Sequence, residues 1–254
     1  MKIKIGIIGV CVIGLFLAQE IESFSQVELF AIAEKDEQRL TEVQKKLKTK
    51  PKILSIEELI KQSDIIIEAA HPSIVKTILE QVFIQEKKVM VMSIGGLLQC
   101  LDLVKKINTN TNNAELHIPT GALGGIDLIK AASQKNIKKV LLQTTKSPKS
   151  LGLNNIMQLK TIFEGSVQEA VQKYPQNINI AVTIALAVGD ISTVKVKINV
   201  DPNIKTNQHE VFIEGDFGKA YFKIENIPSP NNPKTSYLAC LSALQKIKEI
   251  INKD

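Results

Sequence analysis

Tryptophan is absent from the 254 residues, arginine occurs once, at Arg39, and aromatic residues make up only 4%. The formal net charge of +6 therefore rests almost wholly on lysines, which are spread along the chain instead of gathered in a stripe. Bidentate contacts to bases and phosphates favour arginine, and base stacking needs aromatic rings. Their scarcity argues against nucleic-acid binding as the main function, and the lysines read as a solvated surface. Cysteine is also scarce. Cys11, Cys100 and Cys240 are far apart and form no CxxC pair, so neither a disulfide framework nor a metal site is expected. All three read as small buried hydrophobes in a reducing compartment, which points to a cytoplasmic location. No apolar run is long enough to cross a bilayer, so no membrane association is expected. The start of the chain imitates a signal peptide, with Lys2 and Lys4 ahead of an apolar stretch. That stretch holds Gly6, Gly9 and Gly14 and lacks a small-x-small cleavage site, so a strand running into a helix accounts for it better.

What is present is ordinary for a globular protein: 44% hydrophobic and 23% charged residues, enough for a sizeable core. From residue 3 to about 118, short apolar runs alternate with helical patterns. Strands are expected at 3–8 (IKIGII), 27–33 (VELFAIA), 64–69 (DIIIEA), 88–93 (KVMVMS) and 114–118. Helices are expected at 13–21, 36–47, 55–62, 74–85 and 96–108, with a polar loop at 108–113. This alternation specifies an α/β fold, a Rossmann-type doubly wound parallel sheet. After Pro119 the character changes. Alternating strand patterns at 138–145, 193–200, 210–214 and 219–225 join helices at 125–135, 166–173 and 179–188. They predict a second α+β domain on a mostly antiparallel sheet. The expected division is a dinucleotide-binding domain at 1–118 and a substrate and dimerisation domain at 119–235. The amphipathic closing helix at 236–252 is expected to pack back on the first domain.

Four constellations carry chemistry. The first is Gly9-Val10-Cys11-Val12-Ile13-Gly14, between strand and helix, with Glu34 ending the second strand. A dinucleotide fingerprint reads G-x-G-x-x-G with an acidic residue about 20 positions on. Gly9 and Gly14 hold the outer positions, whereas Cys11 replaces the middle glycine that lets the backbone approach a pyrophosphate. Glu34 would accept hydrogen bonds from ribose hydroxyls, favouring NAD; Lys35 beside it leaves NADP open. The second is the glycine-rich run PTGALGGID at 119–127, directly after the fifth strand, where an open α/β sheet binds ligands and where a chain also crosses between domains. The third is the set of histidines, His71, His117 and His209, any of which suits a general base; spacing alone does not choose among them. The fourth is NNPKTS at 231–236, ahead of the closing helix. It offers Lys234 as a cation for a substrate carboxylate, with Thr235 beside it as a ligand or a helix cap.

Taken together, PTGALGGID at 119–127, FEGS at 163–166, YPQNIN at 174–179, His209-Glu210, EGDFG at 214–218 and NPKTS at 232–236 resemble the L-aspartate dehydrogenase family. The likeness runs in order along nearly the whole chain. It implies NAD(P)-dependent oxidation of L-aspartate to iminoaspartate, which feeds NAD biosynthesis, by a homodimer joined through the second domain. Motif for motif, it implies that Ala122 and Asn179 contact the cofactor and that His209 is the active-site histidine. Cys11 and Glu34 depart from the family's usual glycine and aspartate. A histidine base must be neutral to accept a proton, so activity is expected to rise through about pH 6.5. Two other readings share these motifs: a related two-domain dehydrogenase for another amino acid or carbonyl compound, and a dinucleotide-binding protein without catalysis.

Overall fold

The structure, a computed structural model, describes residues 2–109, 112–174, 178–230 and 232–252, without the side chains of residues 232–234. The chain divides into two units, one of residues 1–119 with 242–254 and one of 120–241.

The first unit follows the expected alternation: β1 (Ile3–Ile8), α1 (Val12–Ile21), β2 (Val27–Ala33), α2 (Glu37–Lys46), β3 (Lys52–Ile53), α3 (Ile56–Gln62), β4 (Ile65–Glu68), α4 (Val75–Ile84), β5 (Lys88–Val91), α5 (Leu101–Asn108) and β6 (Glu115–His117). The strands form one six-stranded parallel sheet in the order β3-β2-β1-β4-β5-β6. The order reverses between β1 and β4, and open α/β sheets of this kind bind ligands at the carboxyl ends of strands beside such a switch. Parallel strands covered on both faces read as continuous apolar runs, and Ile5, Ile7, Ile65, Ile66 and Ile67 are all buried. Ala243, Ile247, Ile250 and Ile251 of the closing helix join Ile5, Ile7, Leu17 and Ile21 in one core. At roughly 1.5–3 kcal/mol for each large aliphatic side chain, burial of this kind dominates the unit's stability. Two details differ from expectation. β3 spans two residues, too few for a periodic pattern. Residues 94–99 form a 3-10 segment, and α5 starts only at Leu101. The Gly95-Gly96 pair disfavours a regular helix, and a Cβ at Gly96 would stand 2.4 Å from the Pro72 carbonyl oxygen.

The second unit holds α6 (Ile126–Ala132), β7 (Ile137–Lys146), β8 (Lys160–Ser166), α7 (Val167–Lys173), α8 (Asn179–Val188), β9 (Val194–Val200), β10 (Asn207–Gly215), β11 (Gly218–Asn226), β12 (Pro228–Ser229) and β13 (Asn232–Ser236), followed by α9 (Tyr237–Ile251), whose residues from Ser242 onward belong to the first unit. Five strands form a mixed sheet, β11-β10-β7-β9-β8, in which only the β7–β9 pair is parallel. The edge strand β8 carries Gly165 and little alternation, so its sequence pattern does not announce it. One sheet face is apolar, with Val140, Leu142, Val196, Ile198, Val211 and Ile213 buried, and α7 and α8 pack on the sheet. The opposite face leaves Phe212 and Tyr221 exposed and stacked 4.6 Å apart.

Candidate active site

In the first unit the ends of β1, β2 and β4 surround a cleft of about 630 Å³, lined by Gly9, Cys11, Glu34, Lys35, Arg39 and His71 among others. Gly9 has φ +85°, and a Cβ there would lie 2.6 Å from Ala70, so glycine is required both for the turn and for the close approach of the β4 loop. Gly14, in the first turn of α1, is buried, and its Cβ would sit 2.0 Å from the Gly9 carbonyl oxygen. Its part is therefore to let helix and strand pack. Val12 and Ile13 open the helix between them, so that their backbone amides belong to its N-terminal turn.

Cys11 overturns one expectation. It is exposed on the cleft, while Cys100 and Cys240 are buried. Its φ of −73° is open to any residue, so the backbone does not demand glycine here. The cysteine side chain instead occupies room that a glycine would leave to a ligand. A residue between the strand end and the first helical turn points away from the apolar core, which explains the exposure.

Glu34 is more elaborately held than the sequence suggests. Its Oε2 accepts from Val10 N (3.2 Å) and lies 3.2 Å from Arg39 Nη1, and its Oε1 accepts from Lys35 N (2.9 Å) and Asp36 N (3.2 Å). Partial burial alone would raise its pKa. The Asp36 and Val10 amides and the Arg39 guanidinium outweigh this and hold it below the usual carboxylate range. Four donors fill the roughly four acceptor positions of a carboxylate. Arg39 also lies 3.3 Å from Asp36. The chain's single arginine thus sits in this cleft, a placement that its rarity in the sequence hints at and that motif reading passed over.

The second polar group lies wholly in the second unit. His209 on β10 is opposite Thr144 on β7, with Nδ1 3.0 Å from Thr144 Oγ1, and both are buried. Burial, and then the charge of Lys146, push the His209 pKa down to about 3. The imidazole is therefore neutral at any physiological pH, and the expected rise of activity through pH 6.5 does not belong to this residue. Asn207, two positions before His209 on the same face, donates from Nδ2 to Ser236 Oγ (3.3 Å), next to Thr235. Asn207 pairs with Asn226, whose Nδ2 donates to the Ala122 carbonyl (3.0 Å). The structure thus joins Ala122 to the Thr235–Ser236 end of β13 through two buried asparagines that no motif singled out, one of them two residues before His209. Lys146, buried at the end of β7, is a further residue that sequence reading missed. Asn179 opens α8, its carbonyl accepting from Thr183 Oγ1 (2.9 Å). The Lys234 side chain lies outside the described residues, as do residues 175–177 of the YPQNIN motif.

The other two histidines have local roles. His71 caps the turn at Pro72–Ile74, its Nδ1 accepting from Ser73 N. His117 in β6 lies 3.0 Å from the Glu115 carboxylate. Among the described residues no group of three His, Cys, Asp or Glu side chains could hold a metal ion, and no helix is long and apolar enough to cross a membrane.

The turn at Gly9–Gly14, the cleft at the strand ends and the acidic residue closing β2 together fit a nicotinamide dinucleotide. Known proteins agree. Residues 5–119 match the family model "Homoserine dehydrogenase, NAD binding domain", and residues 127–250 match "Aspartate dehydrogenase, C-terminal". The L-aspartate dehydrogenases of Methanosarcina barkeri and Methanosarcina acetivorans are each 38% identical to this chain, over 98% of it and 97% of their own length. A crystal structure of aspartate dehydrogenase from Thermotoga maritima superposes with a TM-score of 0.76 at 28% identity, covering 98% of this chain and 97% of that one.

Proposed function

Because the chain belongs to the L-aspartate dehydrogenase family and is an NAD(P)-dependent amino-acid dehydrogenase, we propose that it oxidises L-aspartate to iminoaspartate and that this product feeds NAD biosynthesis. The observation that carries the reading is the buried, neutral His209 beside Thr144, at the position where the resemblance calls for the active-site histidine.

The bound nicotinamide supplies the hydride acceptor for the Cα hydrogen. The turn from Gly9 through Cys11 to Gly14 holds the pyrophosphate, with the amides of Val12 and Ile13 at the positive end of α1. Glu34, its oxygens held by three amides and Arg39, would line the adenosine ribose end of the cleft, and Ala122 and Asn179 would complete the cofactor contacts. Hydride loss from Cα requires the substrate amine unprotonated. When Nδ1–H of His209 donates to Thr144 Oγ1, Nε2 is left as an acceptor that orients the neutral amine or the water that takes its proton. Thr235 and Lys234 bind substrate carboxylate. The enzyme works in the cytoplasm on a small molecule, without nucleic acid or membrane. It forms a homodimer through the second unit, whose open sheet face presents Phe212 and Tyr221.

The test is an amino-acid panel with NAD⁺ and NADP⁺, followed by the absorbance of the reduced cofactor, on wild type and His209→Ala. L-Aspartate should be oxidised fastest, and His209→Ala should lose on the order of 10²–10⁴ in kcat. Near-normal turnover by His209→Ala would remove the role given to His209. Faster oxidation of another amino acid would replace the substrate.

A further inference from the structure

Lys146 is the last residue of β7, and its side chain is on the same sheet face as Thr144, two residues earlier. Thr144 is directly opposite His209, so Lys146, Thr144, His209 and Asn207 share one face. All four are buried, Lys146 to 7% exposure. Lysine is among the side chains least often buried. Removing an ammonium from water is costly, and an anion brought to it offsets that cost. The Lys146 charge is felt at His209, which stays neutral beside it. The positive charge that Lys146 adds to the histidine, threonine and asparagine of this cluster suits an anionic substrate better than a neutral one.

We propose that Lys146 is the buried cation of the substrate site and pairs with a carboxylate of a dicarboxylic amino acid. The assignment rests on the dehydrogenase reading and adds what selects the substrate: charge, at a residue that no motif marks. It makes the Lys146 ammonium a substrate ligand and leaves the amine to His209. Burial pulls the Lys146 pKa down to about 8, so the free site holds the ammonium at neutral pH and loses it in mild alkali. Among the described residues, the titratable and charged groups on the segments against it include His209 on β10, Asp201, whose amide donates to the Lys146 carbonyl after β9 (3.0 Å), and Lys149 in the turn after β7. His209 keeps one charge state above neutrality, its pKa lying at about 3.

Succinate is the probe, since it has two carboxylates and no amine to titrate. It is titrated calorimetrically into the NADH-loaded enzyme, beside steady-state kinetics with L-aspartate. Lys146→Met should weaken succinate and raise the aspartate KM by on the order of 100-fold, the usual scale for a lost charge-assisted pair. The NADH Kd should stay within about twofold, and Lys146→Arg should recover part of the loss. In wild type the succinate Kd should rise about tenfold per unit above about pH 8, a readout that needs no variant to fold. Wild type that oxidises L-aspartate while Lys146→Met keeps its KM and succinate affinity, or a flat wild-type pH profile, overturns the Lys146 assignment alone. Wild type that oxidises no dicarboxylic amino acid but does oxidise another overturns both the assignment and the aspartate reading.

Discussion

Replacing Gly14 by alanine tests how the cofactor turn is built. An ideal Cβ at this position stands 2.0 Å from the Gly9 carbonyl oxygen, whereas real Cβ contacts are essentially never below 3.0 Å, so the gap has to open by about 1 Å. The obstacle is backbone and cannot swing away. Either α1 lifts from β1 or the Gly9 turn deforms, and that turn is already held by Ala70 on its other side. Lifting α1 pulls Leu17, Ala18 and Ile21 from the core they share with Ile5 and Ile7. Overpacking costs about 1–3 kcal/mol, and the backbone clash places this case near 3. At about 2–4 °C per kcal/mol for a chain of this size, the first unit should melt roughly 6–12 °C lower. The same displacement moves the Val12 and Ile13 amides, so NADH should bind on the order of 10–100-fold more weakly. Thermal melting followed by circular dichroism and an NADH fluorescence titration measure both effects. Cys11→Ala is the control: the residue is exposed and its φ is negative, so its melting point should stay within about 2 °C of wild type. A Gly14→Ala protein that melts like the control and binds NADH like wild type would refute the packing role given to this glycine.

The histidine, the arginine and the open sheet face each add an expectation. His209 has a folded pKa of about 3 against 6.5 for an ordinary histidine. Between these values the unfolded chain holds more protons, so the stability it contributes is complete above about pH 6.5. That stability is lost toward pH 3 by up to about 1.4 kcal/mol per unit; urea melts of wild type should show the slope and those of His209→Gln should lack it. For the same reason the kcat/KM profile should have no acid limb at pH 6.5 that disappears in His209→Asn, and such a limb would contradict a neutral, buried imidazole. Arg39→Ala frees one acceptor position on Glu34 for a ribose hydroxyl and removes a cation from the cleft. The ratio of NADPH to NADH dissociation constants should rise about tenfold, the worth of one charged hydrogen bond, and an unchanged ratio would show that Arg39 does not tune the cofactor. Phe212→Glu should shift the protein toward monomer in light scattering after gel filtration, and a wild-type monomer would rule out the dimer at this face.

Reading the sequence worked best where local pattern and tertiary environment agree. The apolar runs IKIGII and DIIIEA are parallel strands because both faces are buried, and burial on both faces leaves no polar alternation to blur them. The helix expected at 55–62 forms, and its first turn carries a capping box, Ser55 Oγ accepting from Glu58 N. β3 and β8 escaped notice for opposite reasons. β3 is too short for any period, and β8 is an edge strand paired on one side only, with a glycine where alternation would show. Cys11 was misjudged because composition speaks for an average cysteine, while its place between β1 and α1 faces the cleft.

By itself the sequence determined the doubly wound sheet, the glycine turn, the acidic end of β2 and the motifs that resemble the aspartate dehydrogenases. These features are local, encoded in neighbouring residues. Which polar groups meet was decided only by tertiary structure. Thr144 and His209 are 65 positions apart, and Ala122 and Asn226 are 104 apart. Strand register, set by which face of each strand is apolar, brings them together. The same register puts Lys146 two residues from Thr144 on a buried face and gives one of many lysines a chemistry that the others lack. Glu34 is a similar case. The sequence supplies a carboxylate at the right distance from Gly9, but only the folded chain shows its oxygens filled by three amides and the single arginine.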